Sequence, residues 1–171
     1  MINSKALGVY AFDKDGNLYQ KTSNGDSSRF SKYYSERLNK AISSDKEIQI
    51  IVSDSFIDKK GEEKNVDKVA GGGVTQAKRN KETKEFESVT LTISGNDYIG
   101  LRDKNNNPLI DKAEDILAHE LVVHAIPMIV GSDTGNAVEN ENKVRAEVKV
   151  NNQTKESPLR KEEPNHKEFS S

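Results

Sequence analysis

The sequence of 171 residues contains no cysteine and no tryptophan, and it has only three histidines. The absence of cysteine excludes a disulfide framework and a thiolate zinc cage, so a bound metal must rely on imidazole and carboxylate ligands. The 26 lysines and arginines nearly balance the 28 aspartates and glutamates, which leaves a formal net charge of -2. Because the chain lacks a strongly basic character, we expect neither nucleic acid nor a membrane as its partner.

Long hydrophobic runs are also missing from this sequence. Hydrophobic residues make up 33% of the chain and charged residues 32%, so the core must be compact and much of the chain solvated. No window reaches the length of a membrane span, and the first nine residues lack the basic start and apolar stretch of a signal peptide. We therefore expect a soluble chain, and a secreted or delivered bacterial effector would need another segment or machine to export it.

The remaining pattern predicts one α+β domain over residues 1–150 and a disordered polar tail over residues 151–171. Residues 13–17 carry an Asp-Gly step between two short apolar runs, which predicts a hairpin. The β-branched run 48–52 predicts a buried central strand. The alternation of apolar residues with threonine over 89–93 predicts a half-exposed strand.

The segment His-Glu-Leu-Val-Val-His at residues 119–124 is the most informative part of the chain. In a regular α-helix, residues five apart lie about 140° apart around the axis, whereas residues four apart lie about 40° apart. A single additional residue accommodated as a π-bulge would return His124 to the face of His119. The sequence therefore predicts a metal site on a helix over residues 111–130, provided that this helix contains a π-bulge. The alternative is a helix with two unrelated histidines.

A catalytic zinc ion needs three protein ligands and an open position for water, and the two histidines supply two of the three. We predict Glu141 as the third ligand, because it lies on the apolar face of a second predicted helix over residues 136–148, where a lone charge is costly. Glu139 is the fallback ligand. An i,i+4 ion pair between Glu141 and Arg145 is the alternative that requires no metal.

Glu120, next to the first histidine, is the predicted catalytic residue. It would accept a proton from zinc-bound water and pass it to the leaving amine, which makes hydrolysis of a peptide bond the expected reaction. An edge strand beside the metal would hold an extended substrate by backbone pairing, and residues 89–93 have the pattern of such a strand. The glycines at 71–73 would let a substrate backbone approach closely, and a flexible loop is the alternative for them.

The two histidines, Glu120 and Glu141 resemble the site of the gluzincin branch of the zincin metallopeptidases. In that branch, a histidine pair on one helix and a glutamate from the next helix bind zinc. The six-residue motif is similar to that of the dipeptidyl-peptidase III family, whose second motif ends in Arg-Ala-Glu like residues 145–147. Lys143 stands where that family has its ligand glutamate, so the choice of Glu141 rests on its helix face. The resemblance implies a zincin-like fold, with a small mixed sheet, a metal-binding helix and a following glutamate helix.

Residues 111–148 also resemble metallopeptidase domains proposed at the C-termini of large bacterial Rhs-type toxin proteins. The similarity includes the stretches Ala-His-Glu-Leu, His-Ala-Ile-Pro, Thr-Gly-Asn-Ala and Glu-Asn-Glu-Asn-Lys-Val-Arg. It implies a toxin or effector module that cleaves a protein or peptide and has a cognate immunity protein as a partner. Two alternatives stay open: a catalytically inactive binding or structural module of zincin-like fold, and a zinc hydrolase that acts on another amide.

Overall fold

A computed structural model of the protein describes residues 1–23, 30–131, 137–152 and 158–162, and these form a mixed α+β fold. The strands are β1 (Val9–Phe12), β2 (Leu18–Thr22), β3 (Glu47–Val52), β4 (Ser55–Ile57), β5 (Glu63–Asn65), β6 (Gly73–Arg79), β7 (Phe86–Ile93), β8 (Tyr98–Arg102) and β9 (Pro108–Asp111). The helices are α1 (Lys32–Ile42), α2 (Val66–Ala70), α3 (Ala113–His119), a π-helical segment (Glu120–Ala125), α4 (Ile126–Val130) and α5 (Ala137–Asn152), and a short 3₁₀ turn covers Ile2–Ser4. No helix in the described ranges is long and apolar enough to cross a membrane.

Within the described part of the chain, the main sheet has three strands in the order β3-β7-β6. β7 is the middle strand, parallel to β3 and antiparallel to β6, and Leu91 faces Ile50 on one side and Thr75 on the other. The sequence prediction for two of these strands was wrong. Residues 48–52 form an outer, half-exposed strand, whereas residues 89–93 lie at the centre of the sheet and cannot act as a substrate-binding edge.

The positions of β3 and β7 were predicted the wrong way round because of the threonines in β7. Threonine is polar but β-branched, so it packs well on a pleated sheet. Thr92 is only 3% exposed, although the alternation with apolar residues suggested a solvated face. In β3, by contrast, Ile51 and Val52 remain exposed despite their apolar side chains. Burial of each strand therefore follows from its position in the sheet rather than from its composition.

Three hairpins, β1–β2, β4–β5 and β8–β9, share one loop design. Each loop opens with an aspartate whose carboxylate accepts hydrogen bonds from the backbone N–H groups two and four residues later. The fourth loop residue has a positive φ, which glycine and asparagine adopt most readily. The aspartates are Asp13, Asp58 and Asp103, and the positive-φ residues are Gly16, Gly61 and Asn106. The predicted hairpin around residues 13–17 is thereby confirmed.

The hydrophobic core lies between the main sheet and the helices α1, α3, α4 and α5. The π-helical segment runs through this core and contacts β6, β7 and α5. All six of its residues are buried. The histidine-bearing segment is therefore held on several sides.

Helix α1 is joined to α5 at its first turn. The hydroxyl of Ser31 caps α1 by accepting a hydrogen bond from the Tyr34 N–H, and it donates to Glu147 of α5 at 2.5 Å.

Part of the predicted disordered tail packs on the domain. Helix α5 continues to Asn152, beyond the predicted end at residue 148. Residues 158–162 then lie along the β8–β9 hairpin, where the Lys104 N–H donates to the Leu159 carbonyl and the Lys161 N–H donates to the Arg102 carbonyl, both at 3.0 Å. The rest of the predicted tail, residues 153–157 and 163–171, lies outside the described residues.

The position of β7 makes a prediction about stability. Leu91 is fully buried, so we expect Leu91→Ala to lower the free energy of unfolding by about 2–5 kcal/mol. Val52 on the outer strand is 62% exposed, and Val52→Ala should cost less than about 1 kcal/mol. Urea denaturation followed by circular dichroism measures both values. Equal costs for the two variants would contradict the assignment of β7 as the central strand.

Candidate metal centre

The helix that carries the histidines changes its hydrogen-bonding pattern at the motif. α3 ends at His119, and in the following π-helical segment the N–H of Ile126 donates to the carbonyl of Leu121, five residues earlier. Pro127 comes directly after this bond. It favours the interruption, because proline has no N–H to donate and its ring crowds the carbonyl four residues earlier. Gly131, with a φ of 68°, then ends α4 as the sequence predicted.

The π-helical turn brings the two histidines together. Their ring centroids are 5.0 Å apart and the ring planes are inclined by 75°. In a regular α-helix, these side chains would point about 140° apart. Possible ligand atoms of His119, Glu120 and His124 all lie within 4.8 Å of one another, and each of the three residues is only 6% exposed. The predicted π-bulge is therefore confirmed, and it creates a buried cluster of two imidazoles and one carboxylate.

Glu141 lies directly beside this cluster but is not one of the three converging groups. Its Oε2 atom is 2.8 Å from Nδ1 of His119. The same oxygen accepts a hydrogen bond from Nη1 of Arg160 at 3.0 Å, and Oε1 accepts one from Nε of Arg145 at 2.6 Å. The i,i+4 ion pair with Arg145 is thus present. In this arrangement Glu141 contacts the Nδ1 atom of His119, and its role as a direct metal ligand stays a prediction.

The charges around Glu141 keep it ionised. Burial would raise the pKa of its carboxyl group, but His119, Arg145 and Arg160 together hold that pKa below its ordinary value. Arg145 also pairs with the carboxylate of Asp111 at the end of β9. Glu141 is therefore a buried anion that is fixed from both sides by guanidinium groups.

Glu139, the fallback ligand, does not join the cluster, because its side chain is exposed on α5. His166, the third histidine of the chain, lies outside the described residues.

Glu120 is buried against the outer strand β6. Its Oε2 atom accepts a hydrogen bond from the Thr75 hydroxyl at 2.5 Å. Burial raises the pKa of the Glu120 carboxyl above its ordinary value, although the neighbouring His119 and the bond from Thr75 act in the opposite direction. A carboxyl group whose pKa is raised toward neutrality is suited to exchange protons.

Gly73, the first residue of β6, allows this close approach. A Cβ atom at this position would lie 2.8 Å from Cγ of Glu120 and 2.8 Å from Cγ2 of Ile116, which is too close for either contact. The absence of a side chain is therefore required here. Gly73 begins β6, and the predicted role of residues 71–73 in binding a substrate backbone stays a prediction.

The cluster opens into a cavity of about 270 Å³. The cavity wall includes the two histidines and Glu120, together with Gly73 and Thr75 of β6, Tyr98 of β8 and Arg160. Tyr98 lies on this wall, whereas Arg145 lies behind Glu141 and pairs with Asp111.

Sequence reasoning indicated neither Thr75 nor Arg160 as a residue of the site, and Arg160 was the harder of the two to find. It belongs to a polar, proline-interrupted stretch that has no hydrophobic periodicity, so local pattern contains no signal for its burial. In the structure only 6% of its surface is exposed. Its position depends on long-range contacts with the end of β8, with the loop that follows it and with α5.

Comparisons of the chain with protein-family models, curated proteins and solved structures find no match. The interpretation of the site consequently rests on its own geometry and chemistry.

The contact between Gly73 and Glu120 makes a prediction about both stability and geometry. Gly73→Ala should lower the free energy of unfolding by about 1–3 kcal/mol, because the added methyl group overpacks a buried position. Lys78→Ala, on the exposed end of the same strand, is the control and should cost less than about 1 kcal/mol. A crystal structure of the Gly73→Ala variant should show the Glu120 side chain displaced from Thr75. An unchanged Glu120 together with unchanged stability would contradict the described contact.

Proposed function

We propose that this chain is a zinc-dependent metallopeptidase of zincin-like fold, with His119 and His124 as zinc ligands and Glu120 as the general base. One observation carries this proposal. The π-helical turn gathers two imidazoles and a carboxylate within 4.8 Å in a buried cavity, although the linear spacing of the histidines would separate them. A helix with two unrelated histidines gives no reason for this convergence.

The residues present fit zinc. Imidazole nitrogen and carboxylate oxygen are its ordinary ligands where cysteine is absent. Nδ1 of His119 is engaged by Glu141, so a metal ion on this ring would be bound through Nε2. A carboxylate on the other ring nitrogen of a ligand histidine fixes the tautomer and the orientation of that ring, and it makes the ligand more basic. The geometry thus supports Glu141 as the partner of a ligand, and a direct bond to the metal would replace its hydrogen bond to His119.

When bound, zinc would polarise the carbonyl group of the substrate and make a neighbouring water molecule acidic near neutral pH. Glu120 would accept a proton from the attacking water as the oxygen–carbon bond forms. It would then donate this proton to the leaving nitrogen as the carbon–nitrogen bond breaks, so the carboxylate is regenerated at the end of the reaction. The hydrogen bond from Thr75 would hold Glu120 in the orientation that this transfer requires.

The outer strand β6 offers a way to bind an extended peptide. Among the described strands, β6 pairs with β7 on one side only. A peptide that adds to the other edge by backbone hydrogen bonds would run past Gly73 and Thr75, and hence past Glu120. This arrangement supports a peptide or protein as the substrate. The resemblance of residues 111–148 to toxin metallopeptidase domains extends the proposal to a delivered effector with a cognate immunity protein.

Metal content tests the site. Purified protein should bind one zinc ion per chain, and His119→Ala and His124→Ala should each abolish stoichiometric binding because each removes a ligand. His166→Ala is the matched control, since it removes the histidine that lies outside the motif, and it should bind zinc like the wild type. Inductively coupled plasma mass spectrometry after dialysis gives the stoichiometry. Absence of zinc from the wild type, or the same zinc stoichiometry in all three variants, would rule out the proposed metal site.

Proteolysis of an unfolded protein such as casein tests the assigned reaction. Glu120→Gln should retain zinc and lower the rate of cleavage by at least about 100-fold, because the amide cannot accept the proton. Glu139→Gln, an exposed change of the same kind on α5, should leave the rate unchanged. Loss of zinc in Glu120→Gln would instead make Glu120 a ligand. A wild type that binds zinc but cleaves neither casein nor a peptide library would favour the inactive binding module.

A further inference from the structure

Residues 158–162, here called the C-terminal strap, reach the metal centre from outside the motif. The strap pairs with the β8–β9 hairpin through the backbone bridge between Asp103 and Arg160 and through the hydrogen bonds from Lys104 and Lys161 described above. A second anchor comes from α5. The side chain of Asn142 accepts a hydrogen bond from the Arg160 N–H at 2.8 Å and donates one to the Arg160 carbonyl at 3.0 Å.

These anchors fix the backbone of Arg160 on both sides of its Cα atom, and its side chain enters the site. Nη1 of Arg160 lies 3.0 Å from Oε2 of Glu141 and 3.4 Å from Nδ1 of His119. The guanidinium group is buried and forms part of the wall of the cavity beside Glu120. The C-terminal strap, which is bound mainly through its backbone, therefore places the guanidinium group of Arg160 at the metal centre.

We propose that Arg160 is a positioning residue of the metal centre, which holds Glu141 in the orientation that fixes the His119 ring. This inference rests on the proposed function in so far as His119 binds the metal. It adds a residue and a segment that the motif does not contain. The strap is, on this view, a structural part of the site.

The two arginines bind different oxygen atoms of Glu141, and this supports the proposed role of Arg160. Arg145 binds Oε1 of Glu141, and a bond to one oxygen does not by itself fix the plane of the carboxylate. Arg160 binds Oε2, the oxygen that faces His119, so the two guanidinium groups together fix the plane of the carboxylate. A carboxylate with a fixed plane presents one oxygen to Nδ1 of His119 in one direction. The ring orientation, and with it the direction of Nε2, follows from this contact.

The charge of Arg160 opposes its positioning effect. A guanidinium group close to a bound cation repels it, so removal of Arg160 would raise metal affinity if charge alone mattered. Loss of an outer partner of a metal ligand instead lowers metal affinity, typically by about 10–100-fold. The two contributions have opposite signs, and the measured direction therefore decides between them.

The experiment compares Arg160→Ala, Arg160→Lys and Lys161→Ala in the full chain. Lys161 is the matched control, because it is the neighbouring cation of the strap but is exposed, and its side chain donates a hydrogen bond to Asn106 rather than to a residue of the site. Arg160→Ala should lower the affinity for zinc by about 10–100-fold, Arg160→Lys should restore part of the loss, and Lys161→Ala should bind zinc like the wild type. Isothermal titration calorimetry with a competing chelator gives these affinities.

A second measurement requires no metal. Long-range ¹H–¹⁵N NMR spectra of the metal-free protein report the tautomer of each imidazole, and the wild type should show His119 with its proton on Nδ1, facing Glu141. Arg160→Ala should shift these signals toward an average of both tautomers. Because this readout is independent of zinc, a wild type that binds no zinc would remove the proposed function and still leave the positioning role of Arg160 testable.

A third variant covers the case in which Arg160→Ala fails to fold. Asn142→Ala removes the strap anchor on α5 but keeps the guanidinium group, and it should reproduce the loss of zinc affinity and the change in the His119 spectrum. The proposal is overturned if the Arg160 and Asn142 variants match Lys161→Ala in both measurements, or if zinc affinity rises in Arg160→Ala.

Discussion

The site depends on one additional residue between Glu120 and His124, which the helix accommodates as a π-helical turn. Packing maintains this turn. All residues of the π-helical segment are buried, and the segment contacts the sheet as well as α5, so a return to a regular α-helix would rotate every following side chain by about 100° into its neighbours. Pro127 acts in the same direction from within the chain, because it has no N–H to complete a regular ladder. The approach of the two imidazoles is thus a consequence of the core.

A network of buried charged side chains surrounds the π-helical turn and fixes the orientation of the His119 ring. Glu141 lies between two arginines, and Arg145 connects it to Asp111 at the end of β9. Lys5 pairs with Asp115 of α3 at 2.6 Å nearby. Buried ion pairs of this kind contribute little to net stability compared with apolar packing, but removal of one partner leaves an uncompensated charge at high cost. Their value here lies in orientation, since they hold the His119 ring through a carboxylate whose own position is fixed.

The extent of prediction from the sequence differs between the motif and its surroundings. The helical period and the spacing of the histidines were sufficient to show that a metal site here requires a π-bulge, because the geometry of a helix is local and nearly constant. The loop around residues 13–17 was predictable for the same reason. The order of strands in the sheet was not, since the alternation in β7 is compatible with either an outer or a central strand, and only long-range pairing distinguishes them.

Arg160 shows the limit of local reasoning most clearly. Its neighbours in the sequence are charged or proline-interrupted, and such composition ordinarily indicates a solvated tail. The contacts that bury it come from the β8–β9 hairpin and from Asn142. The position of Glu141 was predicted from its place on the inner face of α5, but its contact with Nδ1 of His119 depends on the distance between two helices, which a sequence pattern does not specify.

X-ray absorption spectroscopy at the zinc edge of the loaded wild-type protein tests the central claim most directly. If the π-helical turn forms a zinc site, the spectrum should contain the multiple-scattering signature of two imidazole ligands with Zn–N distances of about 2.0–2.1 Å. A spectrum fitted by oxygen ligands alone, with no imidazole scattering, would contradict the account.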